Sequence, residues 1–67
     1  MITVTINGEP RRFEQALPVD KLVDQLGLAG KRIAVERNGE IVPRSQFSAR
    51  SIADGDRLEI VVAVGGG

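Results

Sequence analysis

The group with the clearest chemical potential in this chain has no side chain. Gly65, Gly66 and Gly67 close the sequence directly behind the apolar run Ile60-Val61-Val62-Ala63-Val64. Glycine weakens a strand and packs nothing, so a terminal triplet has no part in building a fold. What it offers is the α-carboxylate of Gly67, carried on a stem thin enough to thread a narrow channel in another protein. There the carboxylate can attack the α-phosphate of ATP, and a sulfur or nitrogen nucleophile can displace the resulting acyl-adenylate. Thinness along Gly65 and Gly66 and an unhindered carbonyl at Gly67 both serve that chemistry. The bland alternative is a frayed end without function. It loses weight when a compact domain with a strong last strand leads straight into the tail.

The other residue types offer less. The chain holds no His and no Cys, so Ser-His-Asp and Cys-His arrangements cannot be assembled. A thiolate or imidazole zinc site and a disulfide framework are excluded on the same ground. Ser45, Ser48 and Ser51 are turn or cap residues rather than nucleophiles. Asp54 and Asp56 flank Gly55, which reads as a turn and only weakly as an ion site. Nothing resembles a phosphate loop, and a chain of 67 residues leaves little interior for a water-excluding cleft. Most catalytic chemistry is thereby removed, with paired carboxylates left as an acid/base option in principle, and no metal or cofactor is expected to be bound by the chain itself.

Charge narrows the partners. Nine basic residues balance nine acidic ones, and the only aromatics are Phe13 and Phe47. Neither a basic face nor a base-stacking platform is on offer, so no nucleic acid or membrane partner is expected. No apolar stretch is long enough to span a bilayer and the amino-terminal segment lacks a signal pattern, which gives a cytoplasmic expectation. The apolar fraction of 42% suits a folded domain.

The elements that must position the tail follow from periodicity. Ile2, Val4 and Ile6 alternate with polar residues as on a half-buried strand. Asn7-Gly8 suits a type I′ turn, with a weaker strand returning over about Pro10 to Glu14 and Phe13 pointing inward. Val19, Leu22, Val23 and Leu26 form one stripe of a short helix. Pro18 fits its first turn, Asp20 its positive end, and Gly27-Leu28 its closing cap. Arg32–Arg37 and Glu40-Ile41-Val42 flank a second Asn-Gly turn, and Pro43 ends pairing. Arg44–Ala53 has no clear period, though Phe47 and Ile52 plug an end of the core. Arg57–Val64 is the longest strand, with Leu58, Ile60, Val62 and Val64 on one face, and belongs at the centre of the sheet. One helix must cover one face of a four- to five-stranded mixed sheet. This is the plan of an α+β β-grasp (ubiquitin-like) domain over residues 1–64, followed by a flexible tail over 65–67.

Three segments carry a family resemblance: Val4-Thr5-Ile6-Asn7-Gly8-Glu9, Val35-Glu36-Arg37-Asn38-Gly39-Glu40-Ile41-Val42-Pro43-Arg44-Ser45, and Asp54-Gly55-Asp56-Arg57-Leu58-Glu59-Ile60-Val61 running on to the glycines. Together they resemble the ThiS family of sulfur carriers in thiamine (thiazole) biosynthesis, over essentially the whole chain. Molybdopterin-synthase small subunits share the fold and tail but are usually longer and lack the Asn-Gly-Glu-Ile-Val-Pro-Arg-Ser segment. Phe47 stands where the family usually has Trp, and Pro18 where a Thr or Ser cap is commoner. Both departures concern packing and the start of the helix. The resemblance implies a protein cosubstrate rather than an enzyme. A ThiF-like adenylyltransferase, akin to ubiquitin-activating enzymes, would use MgATP to adenylate Gly67. Sulfur from a cysteine-desulfurase relay would then leave a covalent thiocarboxylate on Gly67, and thiazole synthase would consume it.

The tail needs a docking surface beside it. On the other face of the last strand, Arg57, Glu59, Val61 and Ala63 run from charged to apolar toward the tail. Val61 and Ala63 are the candidate partner-binding residues, with Val64, Gly65 and Gly66 entering the partner's site. If a loop covers them, they are ordinary core instead. Arg44, Arg50 and Arg57 can add steering toward an acidic surface, although exposed arginines are commonly just solvated. Two other functions remain compatible with the residues: a related carrier serving molybdopterin or tRNA thiolation, and a ubiquitin-like interaction domain or covalent tag.

Overall fold

The structure, a computed structural model, describes residues 1–63. Two strands open it, β1 (Ile2–Ile6) and β2 (Glu9–Phe13), followed by helix α1 (Val19–Gln25). Strands β3 (Ile33–Arg37) and β4 (Glu40–Val42), a 3₁₀ turn over Arg44–Gln46 and strand β5 (Arg57–Val62) complete it. The sheet has five strands in the order β2-β1-β5-β3-β4. β5 runs parallel to β1 and antiparallel to β3, so the strand that leads to the tail is the central one, as its apolar run predicts.

Both Asn-Gly pairs form the expected turns. Asn7 and Gly8 have φ of 51° and 85°, and Asn38 and Gly39 have 52° and 85°. Positive φ at both central positions matches the twist of the flanking strands, and Asn tolerates it better than most side chains. The two hairpins pair in unbroken register, Ile6 opposite Glu9 and Arg37 opposite Glu40.

The helix docks through Val19, Leu22 and Val23, which are buried against Val4, Val35, Ile52, Leu58 and Ile60. A helix of seven residues would not persist alone, so this face is what holds it. Pro18 is one position earlier than expected. It is the N-cap residue, with ψ of 155°, rather than part of the first turn. Its extended backbone bridges to Ser51, and the Val19 N–H donates to the Arg50 carbonyl. The helix closes with Gly27 at φ of 74°. The Gly27 N–H donates to the Asp24 carbonyl and the Leu28 N–H to the Val23 carbonyl, the paired bonds of a Schellman cap.

Phe47 and Ile52 are buried at the end of the core, as expected of plugs in an otherwise aperiodic segment. Strand β2 is the weaker one, exposed except at Phe13, and Pro10 leaves its outer edge short of a donor. β5 ends at Val62 rather than Val64. The Ala63 N–H still donates to the Arg32 carbonyl, and Val64 lies outside the described residues. No helix among the described residues is long and apolar enough to cross a membrane.

Candidate functional site

The candidate site is the tail-proximal end of β5 and the surfaces beside it. Val64, Gly65, Gly66 and Gly67 lie outside the described residues, as does the boundary between domain and tail. What is described is the strand that precedes them and the surfaces beside it.

That strand is fixed at its start by Asp56, a carboxylate that is only 7% exposed. It accepts three hydrogen bonds: from the Ala53 N–H at 2.7 Å, from Arg37 Nε at 2.8 Å and from Asn38 Nδ2 at 3.1 Å. Burial by itself pushes its pKa up. The Ala53, Arg37 and Asn38 hydrogen bonds and the Arg37 charge outweigh that, and hold the carboxyl below its ordinary value. Its neighbour Asp54 accepts the Thr3 N–H at 2.7 Å, and the Gly55 N–H donates to the Thr3 carbonyl at 2.8 Å. Both acidic residues of the turn thus bind the chain's own N–H groups and pin the loop before β5 to β1 and β3.

The two turn asparagines hold β5 from either side. Asn38 Oδ1 accepts the Arg57 N–H at 2.9 Å. Asn7 does more: Oδ1 accepts the Ile60 N–H at 2.8 Å, and Nδ2 donates to the Ile60 carbonyl at 3.0 Å. The parallel ladder of β1 and β5 covers only Thr5 with Arg57 and Ile6 with Leu58 before β1 turns away. The Asn7 amide then takes the place of the next strand residue.

The face of β5 turned away from the helix is exposed toward the end of the strand, not covered by a loop among the described residues. Val61 is 63% exposed, and Ala63 is exposed beside it. Ala34 stands opposite Val61 on β3, also exposed. Ile41, 66% exposed on β4, pairs with Glu36 and so lies diagonally across from Ala34. An apolar row thus crosses β4, β3 and β5 toward the tail, where neighbouring strands bring such side chains within reach of one partner surface. Ile41 and Ala34 went unnoticed in the sequence because β4 and β3 meet β5 only through the fold. Of the three arginines considered for steering, Arg44 donates to the Lys31 carbonyl at 2.9 Å and Arg50 Nε to Gln46 Oε1 at 3.0 Å. Both therefore bind groups of this chain.

The profile of the ThiS family matches residues 4–67, which takes in the glycine tail as well as the sheet. The chain belongs to the ThiS family. Its fold is correspondingly close to a ThiS structure already solved. The crystal structure of the thiamine biosynthesis protein ThiS from Geobacter metallireducens superposes with a TM-score of 0.85 at 35% identity, covering 98% of this chain and 100% of that one. The solution structure of a thiamine biosynthesis protein from the same organism gives 0.80 at 35% identity, over 98% of this chain and 88% of that one. The five-stranded mixed sheet with one helix is thus a ThiS β-grasp fold. Among relatives by sequence, a thiazole synthase from Paramagnetospirillum magneticum is 47% identical over 96% of this chain, and one from Magnetococcus marinus is 36% identical over 96%. The chain spans about a fifth of the length of those two relatives, 20% in each case.

Proposed function

We propose that this chain is a sulfur carrier of thiamine thiazole biosynthesis, a protein cosubstrate whose reactive group is the Gly67 carboxylate. The observation that carries the reading is the family match over residues 4–67, in which the β-grasp domain and the glycine tail occur as one unit. In this reading a ThiF-like adenylyltransferase binds MgATP and presents its α-phosphate to the carboxylate. Pyrophosphate leaves, and the acyl-adenylate forms. Sulfur from a cysteine-desulfurase relay, carried as a persulfide, displaces AMP to give an acyl disulfide, and a thiol reductant cleaves that bond to leave a thiocarboxylate on Gly67. Thiazole synthase then takes the sulfur. ATP and metal belong to the partners, and the chain contributes shape and a carboxylate. The two thiazole synthases, each carrying a ThiS-like stretch within a longer chain, support that enzyme as the acceptor over one of molybdopterin or tRNA thiolation.

Docking falls to the row of Val61, Ala63, Ala34 and Ile41. Its residues are exposed, and Val61 and Ala63 lie on or just after the strand that leads to the tail. Val64, Gly65 and Gly66 then reach into the enzyme.

The test is an intact mass of the chain incubated with the adenylyltransferase, MgATP and a sulfide source. A gain equal to sulfur replacing oxygen, localised to Gly67 and trapped by an alkylating reagent, is the expected result. A chain lacking Gly66 and Gly67 should remain unmodified while keeping its fold. Accumulation of conjugates on protein lysines in place of the thiocarboxylate would assign the chain to the tags instead.

A further inference from the structure

Asn7 has a consequence for the strand it caps. Along β5, main-chain groups alternate between the two neighbouring strands. Arg57 and Ala63 exchange bonds on the β3 side, through Asn38 and Arg32, while Leu58 and Ile60 face β1. Val62 shares the orientation of Leu58 and Ile60. On that side β1 has already turned into the hairpin, and Asn7 serves Ile60 alone. The Val62 N–H and C=O therefore point outward with no bonding partner among the described residues. They form a strand edge one step long in the middle of the sheet.

A groove of about 360 Å³ opens beside this edge. Ile6, Leu26, Leu28, Ile60 and Val62 line its apolar part, and Asn7, Glu9 and Arg11 form a polar rim. An open edge with an apolar recess on its inner side is what an extended polypeptide requires: main-chain groups to bond and a pocket for alternate side chains.

We propose that the Val62 edge pairs with an extended segment of the enzyme that receives the tail, an apolar side chain of that segment entering the groove. The proposal rests on reading the chain as a substrate whose tail is threaded into an enzyme. A protein holding Gly65–Gly67 must pass alongside Val62, the root of the tail, so this contact forms within an existing encounter. Effective concentration then favours a pairing that is too short to form between free molecules. A second copy of this chain fits less well, because an edge of one residue on each copy gives too few bonds for a dimer.

The experiment replaces the Val62 amide with an ester in a fully synthetic chain, which deletes the N–H and keeps every side chain. Among the described residues that donor has no partner, so the unfolding midpoint should match that of the amide chain. An ester at Ile60 should lower the midpoint, since it removes the bond to Asn7. With the ThiF-like adenylyltransferase and MgATP, followed by pyrophosphate release, the Val62 ester should raise KM about 2- to 10-fold at unchanged kcat, the weight of one hydrogen bond. Amide exchange at Val62 should slow in the complex far more than at Ile60. Unchanged KM overturns the pairing, and so does a lowered midpoint for the Val62 ester. Concentration-dependent dimerisation abolished by that ester assigns the edge to a second copy and overturns it as well. If the unmodified chain is not adenylated at all, the carrier reading itself fails, and the edge proposal falls with it.

Discussion

Replacing Asp56 with Ala should remove a large share of the stability of this domain. The carboxylate accepts the Ala53 N–H, Arg37 Nε and Asn38 Nδ2 at 2.7, 2.8 and 3.1 Å. Hydrogen bonds to a charged group are worth about 1.5–3 kcal/mol each. They do not add here, because Arg37 is 27% exposed and can turn to water, as can Asn38. The Ala53 amide and the remainder of the Arg37 pair then set a loss of about 2–4 kcal/mol. A domain of this length has roughly 3–10 kcal/mol in total, so the variant gives up about a fifth or more. At about 4–8 °C per kcal/mol, the midpoint should fall by roughly 8–32 °C.

The sign with pH follows from the lowered pKa. A carboxyl whose folded pKa lies below its unfolded one stabilises the fold fully above the unfolded value, about 3.9 for Asp. That contribution fades as pH falls through the lowered folded value. Asp56→Asn keeps the shape and loses the charge, so wild type should exceed it most at pH 5–7 (roughly, by the unfolded pKa) and converge with it on acidification. Urea or thermal unfolding followed from neutral pH down through and below the unfolded pKa of about 3.9 reads this directly. A cost below about 0.5 kcal/mol for Asp56→Ala at neutral pH would refute the reasoning, since that is the scale of an ordinary surface change. So would a gap to Asp56→Asn that stays constant on acidification.

Two further outcomes are expected. Val61→Asp places a carboxylate in the exposed apolar row, and should leave the unfolding midpoint within about 0.5 kcal/mol of wild type, as surface changes do. In the adenylation assay it should lower kcat/KM at least about tenfold, a desolvation cost of about 1.4 kcal/mol or more; unchanged kinetics would remove Val61 from the interface. Leu22→Ala deletes a fully buried side chain at the centre of the helix face and should cost about 2–5 kcal/mol, measured by urea unfolding. A cost under about 1 kcal/mol would mean that the helix is not the cover of the core.

Much of this protein is local and therefore legible in its residue order. The two type I′ turns follow from Asn-Gly, because few other pairs tolerate positive φ twice in succession. The helix stripe, its Gly27-Leu28 closure and the apolar centrality of β5 follow from spacing and side-chain volume, and the tail is visible as three residues with nothing to pack. The helix starts one position later than its residue order suggests, because Pro18 satisfies both an N-cap and a first turn until the bridge to Ser51 chooses. What only the tertiary structure decided are relations between residues far apart in the chain. Arg37 and Asp56 are 19 positions apart, and Asn7 and Ile60 are 53 apart. No periodicity encodes such pairs, and each asparagine reads locally as a turn residue and nothing more. The same holds for the row formed by Ile41, Ala34 and Val61, whose members come from three strands brought side by side by the sheet order. Periodicity tells a side chain which face of its own strand it occupies, whereas its neighbours on that face are set by which strands pair and in what register.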